Sequence, residues 1–236
     1  MIPLKDDVPS HSFPAVTVGL IALNVVAFLY QVSLQVSGGP QVSGAAQEFV
    51  FEFGLIPCRL TGNCRVPGGH PSPILTVFTS MFLHGGWFHV IGNMLYLWIF
   101  GDNIEDRLGH GRFLVFYLAS GVAAALAQKV ASPTSRVPMI GASGAVSGVL
   151  GAYLVLFPHA GILTLLTVGF FVRMVRVPAL IVLGLWIVVQ VINGTVSYSM
   201  ASGGGEGGVA WFAHVGGFAA GLILLFLLRP RRDVRL

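Results

Sequence analysis

The stretch MIGASGAVSGVLGAYLVLF, residues 139–157, decides the fold. It is an apolar run close to the about 20 residues that cross a bilayer, yet its first turns hold little but glycine, alanine and serine. Gly144, Gly148 and Gly151 recur at i, i+4 and i+7, which leaves one side of the predicted helix nearly bare backbone. In lipid such a side lets a second helix approach closely. Ser143, between Ala142 and Gly144, stands at the start of that side.

Composition agrees with a membrane setting for this helix. Of 236 residues 55% are hydrophobic and only 9% charged, against about 25% charged in a soluble domain. The mean hydropathy is +0.82. The class is therefore a polytopic membrane protein, and the length suits one helical bundle of six spans. The start has no short apolar run followed by a small-residue cleavage site, so the first span is expected to stay in the mature protein. A pI near 9.4 raises the question of nucleic acid, but the basic residues gather at span edges, where they set orientation. No nucleic-acid partner is expected.

In order, residues 1–14 read as a polar cytosolic leader and residues 15–228 as a six-helix membrane domain. The spans are predicted at 15–36, 87–104, 113–130, 139–157, 177–196 and 209–228. A long external loop covers 37–86. Within it, 49–53 reads as an amphipathic piece on the bilayer, and 74–83 is apolar but too short to cross before His84-Gly85-Gly86 interrupts it. Residues 161–172 are apolar yet short, and are expected to be interfacial or re-entrant. A glycine-rich stretch at 203–208 leads into the last span, and 229–236 form a basic cytosolic tail. Six spans put both termini on one side. That side then carries 9 basic residues (Lys5, Arg107, Arg112, Arg173, Arg176, Arg229, Arg231, Arg232 and Arg235) against 4 on the other (Arg59, Arg65, Lys129 and Arg136). The positive-inside rule places both termini in the cytosol, in a plasma (inner) membrane.

With that topology His89 and Asn93, Ser143 and His214 all lie near the external ends of their spans, at similar depth. Polar groups within a span are costly and are candidate functional groups. His214, Gly217 and Gly221 share a helix face, a small-residue face matching Gly144 and Gly148. Packing the two faces together brings the imidazole to Ser143, as a base would have to be to activate a serine. His89 and Asn93, at i and i+4, both offer donors for a developing oxyanion, and the Ser143 backbone N–H at a helix start adds another. The bland alternatives are a cross-bundle hydrogen bond for His214, a packing serine at Ser143 and an asparagine clamp at Asn93. No in-span Asp or Glu is near, so the expected unit is a dyad. Glu105 and Asp106 lie at the far end of their span.

Metal and cofactor sites are not expected. The histidines lack the spacing and carboxylate partner of a zinc site, and no phosphate-binding glycine motif occurs. Cys58 and Cys64, in the external loop, form either a disulfide or two free thiols, and with His70 they are one ligand short of a metal site.

At Gly141-Ala142-Ser143-Gly144, His84…His89…Asn93, Glu105-Asp106-Arg107-Leu108-Gly109 and Ala213-His214…Gly217…Gly221, the sequence resembles the rhomboid intramembrane serine proteases. The resemblance implies a six-helix fold, Ser143 as nucleophile, His214 as base, His89 and Asn93 as oxyanion donors, and transmembrane protein substrates cut near the external face. His84, Gly141, Gly144, Ser147 and Gly217 are expected in supporting roles. Two departures stand out. The first external loop lacks the Trp-Arg pair common in the family. Ser147 occupies the position, four after the nucleophile, where many members stack an aromatic on the base, so Ser147 itself is expected to orient His214. The rival readings are a catalytically silent rhomboid-like protein that binds transmembrane segments, and a small transporter using histidines as a proton relay. The expected partners are membrane lipids and substrate segments.

Overall fold

The structure, a computed structural model, describes residues 1–37, 44–62, 64, 71–168, 171–201 and 209–229. Its elements are β1 (Ile2–Lys5), α1 (Ala15–Ser37), α2 (Ala45–Phe53), α3 (Pro57–Leu60), α4 (Pro73–Thr79) with a 3-10 turn (Ser80–Phe82), α5 (Trp87–Leu108), α6 (His110–Ala131), α7 (Ser143–Leu156), β2 (Gly161–Val168), β3 (Phe171–Pro178), α8 (Ala179–Ala201) and α9 (Trp211–Leu228). Among the described residues α1, α6, α8 and α9 are long and apolar enough to cross a membrane. Pro73–Phe82 and Trp87–Leu108 qualify together but bend by 84° at His84-Gly85-Gly86. The chain is a multi-pass membrane protein.

The helix starting at Ser143 sits at the centre. Every residue from Gly144 to Tyr153 on α7 is buried. Its 14 residues rise about 21 Å, less than the 139–157 span expected from hydropathy. Residues before it are drawn into other bonds: Met139 pairs with Leu55 through two backbone hydrogen bonds (3.0 and 2.7 Å), and Gly141 turns at φ +123°. A helix enclosed by its neighbours does not face the lipid core along its length, so hydrocarbon thickness does not set its ends.

Glycine makes that enclosure possible. A Cβ on Gly217 would run into the Gly144 carbonyl oxygen, and one on Gly221 into that of Gly148. The α7–α9 contact is therefore backbone on backbone at two successive turns. The Cβ directions of Gly144 and Gly148 point instead at Ala124 and Ser120 of α6. One set of small residues thus serves two neighbours. Around them Phe100, Phe113, Phe116, Tyr117 and Tyr153 are fully buried, and Phe100 meets Tyr153 edge to face at 4.8 Å.

The expectation of an all-α protein is corrected. The stretch expected to be interfacial or re-entrant, 161–172, is extended rather than helical where described. Gly161–Val168 pairs antiparallel with Phe171–Pro178, and Ile2–Lys5 adds a third strand, giving the order β1-β2-β3. Ile162 and Thr164 are fully buried on one face. The segment before α1 is packed onto the bundle: the Tyr153 hydroxyl donates to Asp6 (2.6 Å) and the Gly161 N–H to Asp7 (2.8 Å). Glu105, fully buried, accepts from Val16 N, Thr17 N and Thr17 Oγ1 at 2.9, 2.8 and 2.7 Å. Its charge meets the start of α1, where helix N–H groups lack partners.

The 37–86 connection is folded where described. Residues 49–53 belong to α2, where Phe49 packs against Tyr30 of α1 at 5.3 Å. Cys58 and Cys64 form a disulfide, which closes the alternative left open by the sequence. The Cys58 N–H donates to Ser135 O (3.0 Å), tying this loop to the segment that leads into α7. His70, the glycine-rich 203–208 and all of the tail after Arg229 lie outside the described residues.

Candidate functional site

Three local features place Ser143. The Gly141 N–H donates to Ser80 O (2.9 Å), so the bend after α4 holds the approach to α7. Gly141 adopts a φ that L side chains rarely take, and a Cβ there would strike the His89 imidazole. Ser143 is then the first residue of α7, with its backbone N–H at the positive end of the helix.

His214, in the first turns of α9, arrives on the face cleared by Gly217. Its Nε2 lies 2.8 Å from Ser143 Oγ. On the other side of the ring Nδ1 lies 2.8 Å from Gln190 Oε1 of α8. The Gln190 amide is itself oriented, because its Nε2 donates to Trp186 O (3.3 Å). A carboxamide oxygen can only accept, so Nδ1 carries the proton and Nε2 is left to accept from the Ser143 hydroxyl. The Trp186 ring lies over the imidazole at 5.9 Å with a 39° tilt, and Trp211 meets it edge-on at 6.2 Å.

Ser147 does not orient the base, contrary to the sequence expectation. It is fully buried and its hydroxyl donates to Ser143 O in its own helix (2.6 Å), which occupies the only proton it has. The hydrogen-bond partner of Nδ1 and one aromatic neighbour of the His214 ring come from α8, as Gln190 and Trp186, and both were missed. Their signal in the sequence is an i, i+4 pair of a polar and an aromatic residue within a span otherwise almost wholly apolar.

His89 faces Ser143 from α5. Its Nδ1 accepts the Gly85 N–H (3.2 Å), so a neutral ring carries its proton on Nε2, the nitrogen turned toward Gly141. Asn93, buried one turn further on, donates one amide hydrogen to His89 O (3.0 Å) and keeps the other. His84 is buried at 2% exposure and stacks edge to face on His89 at 5.0 Å. Gln31 of α1 brackets its backbone, donating to His84 O (3.2 Å) and accepting from its N–H (3.0 Å). This second glutamine was also absent from the sequence reading.

One cavity of about 460 Å³ opens between α5, α7, α8 and α9, with α4, the 3-10 turn and α6 completing its wall. Ser143, His214, His89 and Asn93 all contribute to its wall, and among the described residues no carboxylate or cationic side chain does. Among the described residues no three His, Cys, Asp or Glu side chains are grouped to hold a metal ion. The cavity joins a hydrogen-bonded serine and histidine to a set of N–H donors in a largely apolar chamber, which is the equipment of acyl transfer.

Comparison with known proteins identifies the family. A rhomboid domain matches residues 71–231. The chain is 36% identical over 141 residues to "Rhomboid protease GluP" of Bacillus subtilis, covering 60% of this chain and 24% of that protein. It is 32% identical over 165 residues to "RHOMBOID-like protein 1" of Arabidopsis thaliana, covering 69% and 37% respectively. It is also 40% identical over 93 residues to "Rhomboid protein 1, mitochondrial" of Saccharomyces cerevisiae, covering 38% and 27%. The chain thus spans well under half the length of these relatives. With the matched domain taking in both Ser143 and His214, the chain belongs to the rhomboid family.

Proposed function

We propose that this protein is an intramembrane serine endopeptidase that cuts transmembrane substrates near the external membrane face. The observation that carries this is the 2.8 Å contact between Ser143 Oγ and a His214 Nε2 left free to accept. Ser143 Oγ attacks the scissile carbonyl carbon while its proton passes to His214 Nε2. The carbonyl oxygen becomes an oxyanion that accepts from the Ser143 backbone N–H, His89 Nε2–H and the free amide hydrogen of Asn93. Collapse breaks the C–N bond, and the imidazolium returns the proton to the leaving amine. Water attacks the acyl-enzyme through the same base and restores Ser143. Each oxyanion donor supports a rate effect of about 10²–10³.

A helical substrate buries its carbonyls in its own hydrogen bonds, so a substrate must unwind at the cut. Segments with glycine, proline or small residues there are favoured. In this reading α1, the bent α4–α5 pair, α6, α7, α8 and α9 are six membrane segments within 15–228, with both termini cytosolic. The excess of basic residues on that side supports this orientation. We assign the plasma (inner) membrane; relatives named mitochondrial and chloroplastic make organelle membranes the comparison to run.

Co-reconstitution with a transmembrane reporter tests the reading. Wild type yields two fragments and Ser143→Ala none, with its melting temperature preserved. Equal cleavage by Ser143→Ala contradicts the mechanism. Stable capture of an uncut reporter by wild type favours a binding protein instead.

A further inference from the structure

The position four residues after Ser143 holds Ser147, whose hydroxyl is committed to its own helix. The His214 ring is held from another direction. Gln190 and Trp186 sit one turn apart on α8, and both touch it: one through Nδ1 at 2.8 Å, the other across the ring at 5.9 Å. Gln190 is buried at 6% exposure. A polar amide there requires a partner on each atom, and it has them in His214 Nδ1 and Trp186 O.

We propose that Gln190 is a positioning residue that holds His214 in the Nδ1-protonated tautomer and keeps Nε2 aimed at Ser143. This rests on the protease reading above for its consequence, but its structural claim stands apart. A neutral imidazole exists in two tautomers. Only the one with its proton on Nδ1 can take the hydroxyl proton of Ser143. Oε1 of Gln190 favours that tautomer because it accepts and never donates. When Nε2 is protonated during attack, the Nδ1–H···Oε1 bond becomes charge-assisted and strengthens, so the contact stabilises the transition state more than the resting enzyme. A carboxamide does this without placing a full charge in a cavity where, among the described residues, no cationic side chain stands to balance one. Trp186 flanks the ring at a tilt, and the amide fixes the ring's rotation. The substrate does not meet Gln190 directly; the residue acts through His214.

The test is nitrogen NMR on purified full-length protein labelled with ¹⁵N-histidine, the His214 signals being those lost in His214→Ala. In wild type, under conditions where the ring is neutral, the proton resides on Nδ1. In Gln190→Met, of similar length but without the acceptor, the tautomers mix. Reporter cleavage by Gln190→Met then falls about tenfold or more in kcat, with KM changed less than about twofold, as expected when a transition-state contact is removed. Gln190→Glu restores the acceptor and retains the Nδ1 proton, with kcat above that of Gln190→Met. Wild-type His214 protonated on Nε2 overturns the proposal without recourse to any variant. So does Gln190→Met with unchanged tautomer and unchanged kcat. A wild type with the Nδ1 proton but no cleavage contradicts the protease reading alone.

Discussion

Gly217 of α9 lies so close to the Gly144 carbonyl of α7 that no methyl group fits between them, and Gly221 repeats the relationship with Gly148 one turn on. That double contact brings His214 to Ser143. The proposed catalytic pair depends on two backbones touching where side chains would normally stand.

Gly217→Ala therefore places a Cβ against backbone that cannot move aside. The expected cost is about 1–3 kcal/mol, together with displacement of His214 and loss of cleavage. Gly19→Ala, on the exposed side of α1 where a Cβ meets nothing within 4 Å, is the matched control and leaves both properties near wild type. Thermal unfolding in detergent, read beside the cleavage rate, checks the pair.

Gly141→Ala tests the approach to the nucleophile. The backbone at φ +123° is strained for any L side chain, by about 1–3 kcal/mol. The new methyl also pushes on the His89 ring. The expected result is a fall of about 10²-fold in kcat, the loss typical of one misplaced oxyanion donor, with a smaller effect on KM. Steady-state kinetics on the reconstituted reporter supplies both numbers.

Asp6 ties the N-terminal strand to the far end of α7. Burial pushes its carboxyl above the ordinary value of 3.8, and the hydrogen bond from Tyr153 partly opposes that push. The unfolded chain therefore gives up this proton at lower pH than the folded one. Between the two pKa values stability falls as pH rises, and above both the penalty is constant. Asp6→Asn keeps an acceptor for Tyr153 and removes the charge, so it melts higher than wild type at pH 7. The advantage disappears on acidification below pH 3.8. Melting temperatures of the two proteins across that range decide it.

The pairing of glycine faces was legible because it is a periodicity: Gly144, Gly148, Gly217 and Gly221 repeat at helical spacing in runs otherwise apolar. Converging depth followed from counting residues along each span. The sheet was not legible. Hydropathy registers residues 161–172 as one apolar run, and the strand completing it lies near the start of the chain, with Ile2 paired to Leu165. The length of α7 was also hidden, since burial by neighbouring helices removes the constraint of bilayer thickness. Gln190 and Gln31 escaped notice because a single neutral amide in a span carries no spacing of its own. Its meaning comes from the ring or backbone it meets across the bundle.

The proposed chemistry turns on His214 activating Ser143. Labelling of the detergent-solubilised protein with a fluorophosphonate serine probe tests it most directly, wild type beside Ser143→Ala and His214→Ala. Folded wild type is expected to be labelled on Ser143, Ser143→Ala not to be labelled, and His214→Ala to be labelled slower by at least about 10². Labelling of His214→Ala at the wild-type rate would contradict it.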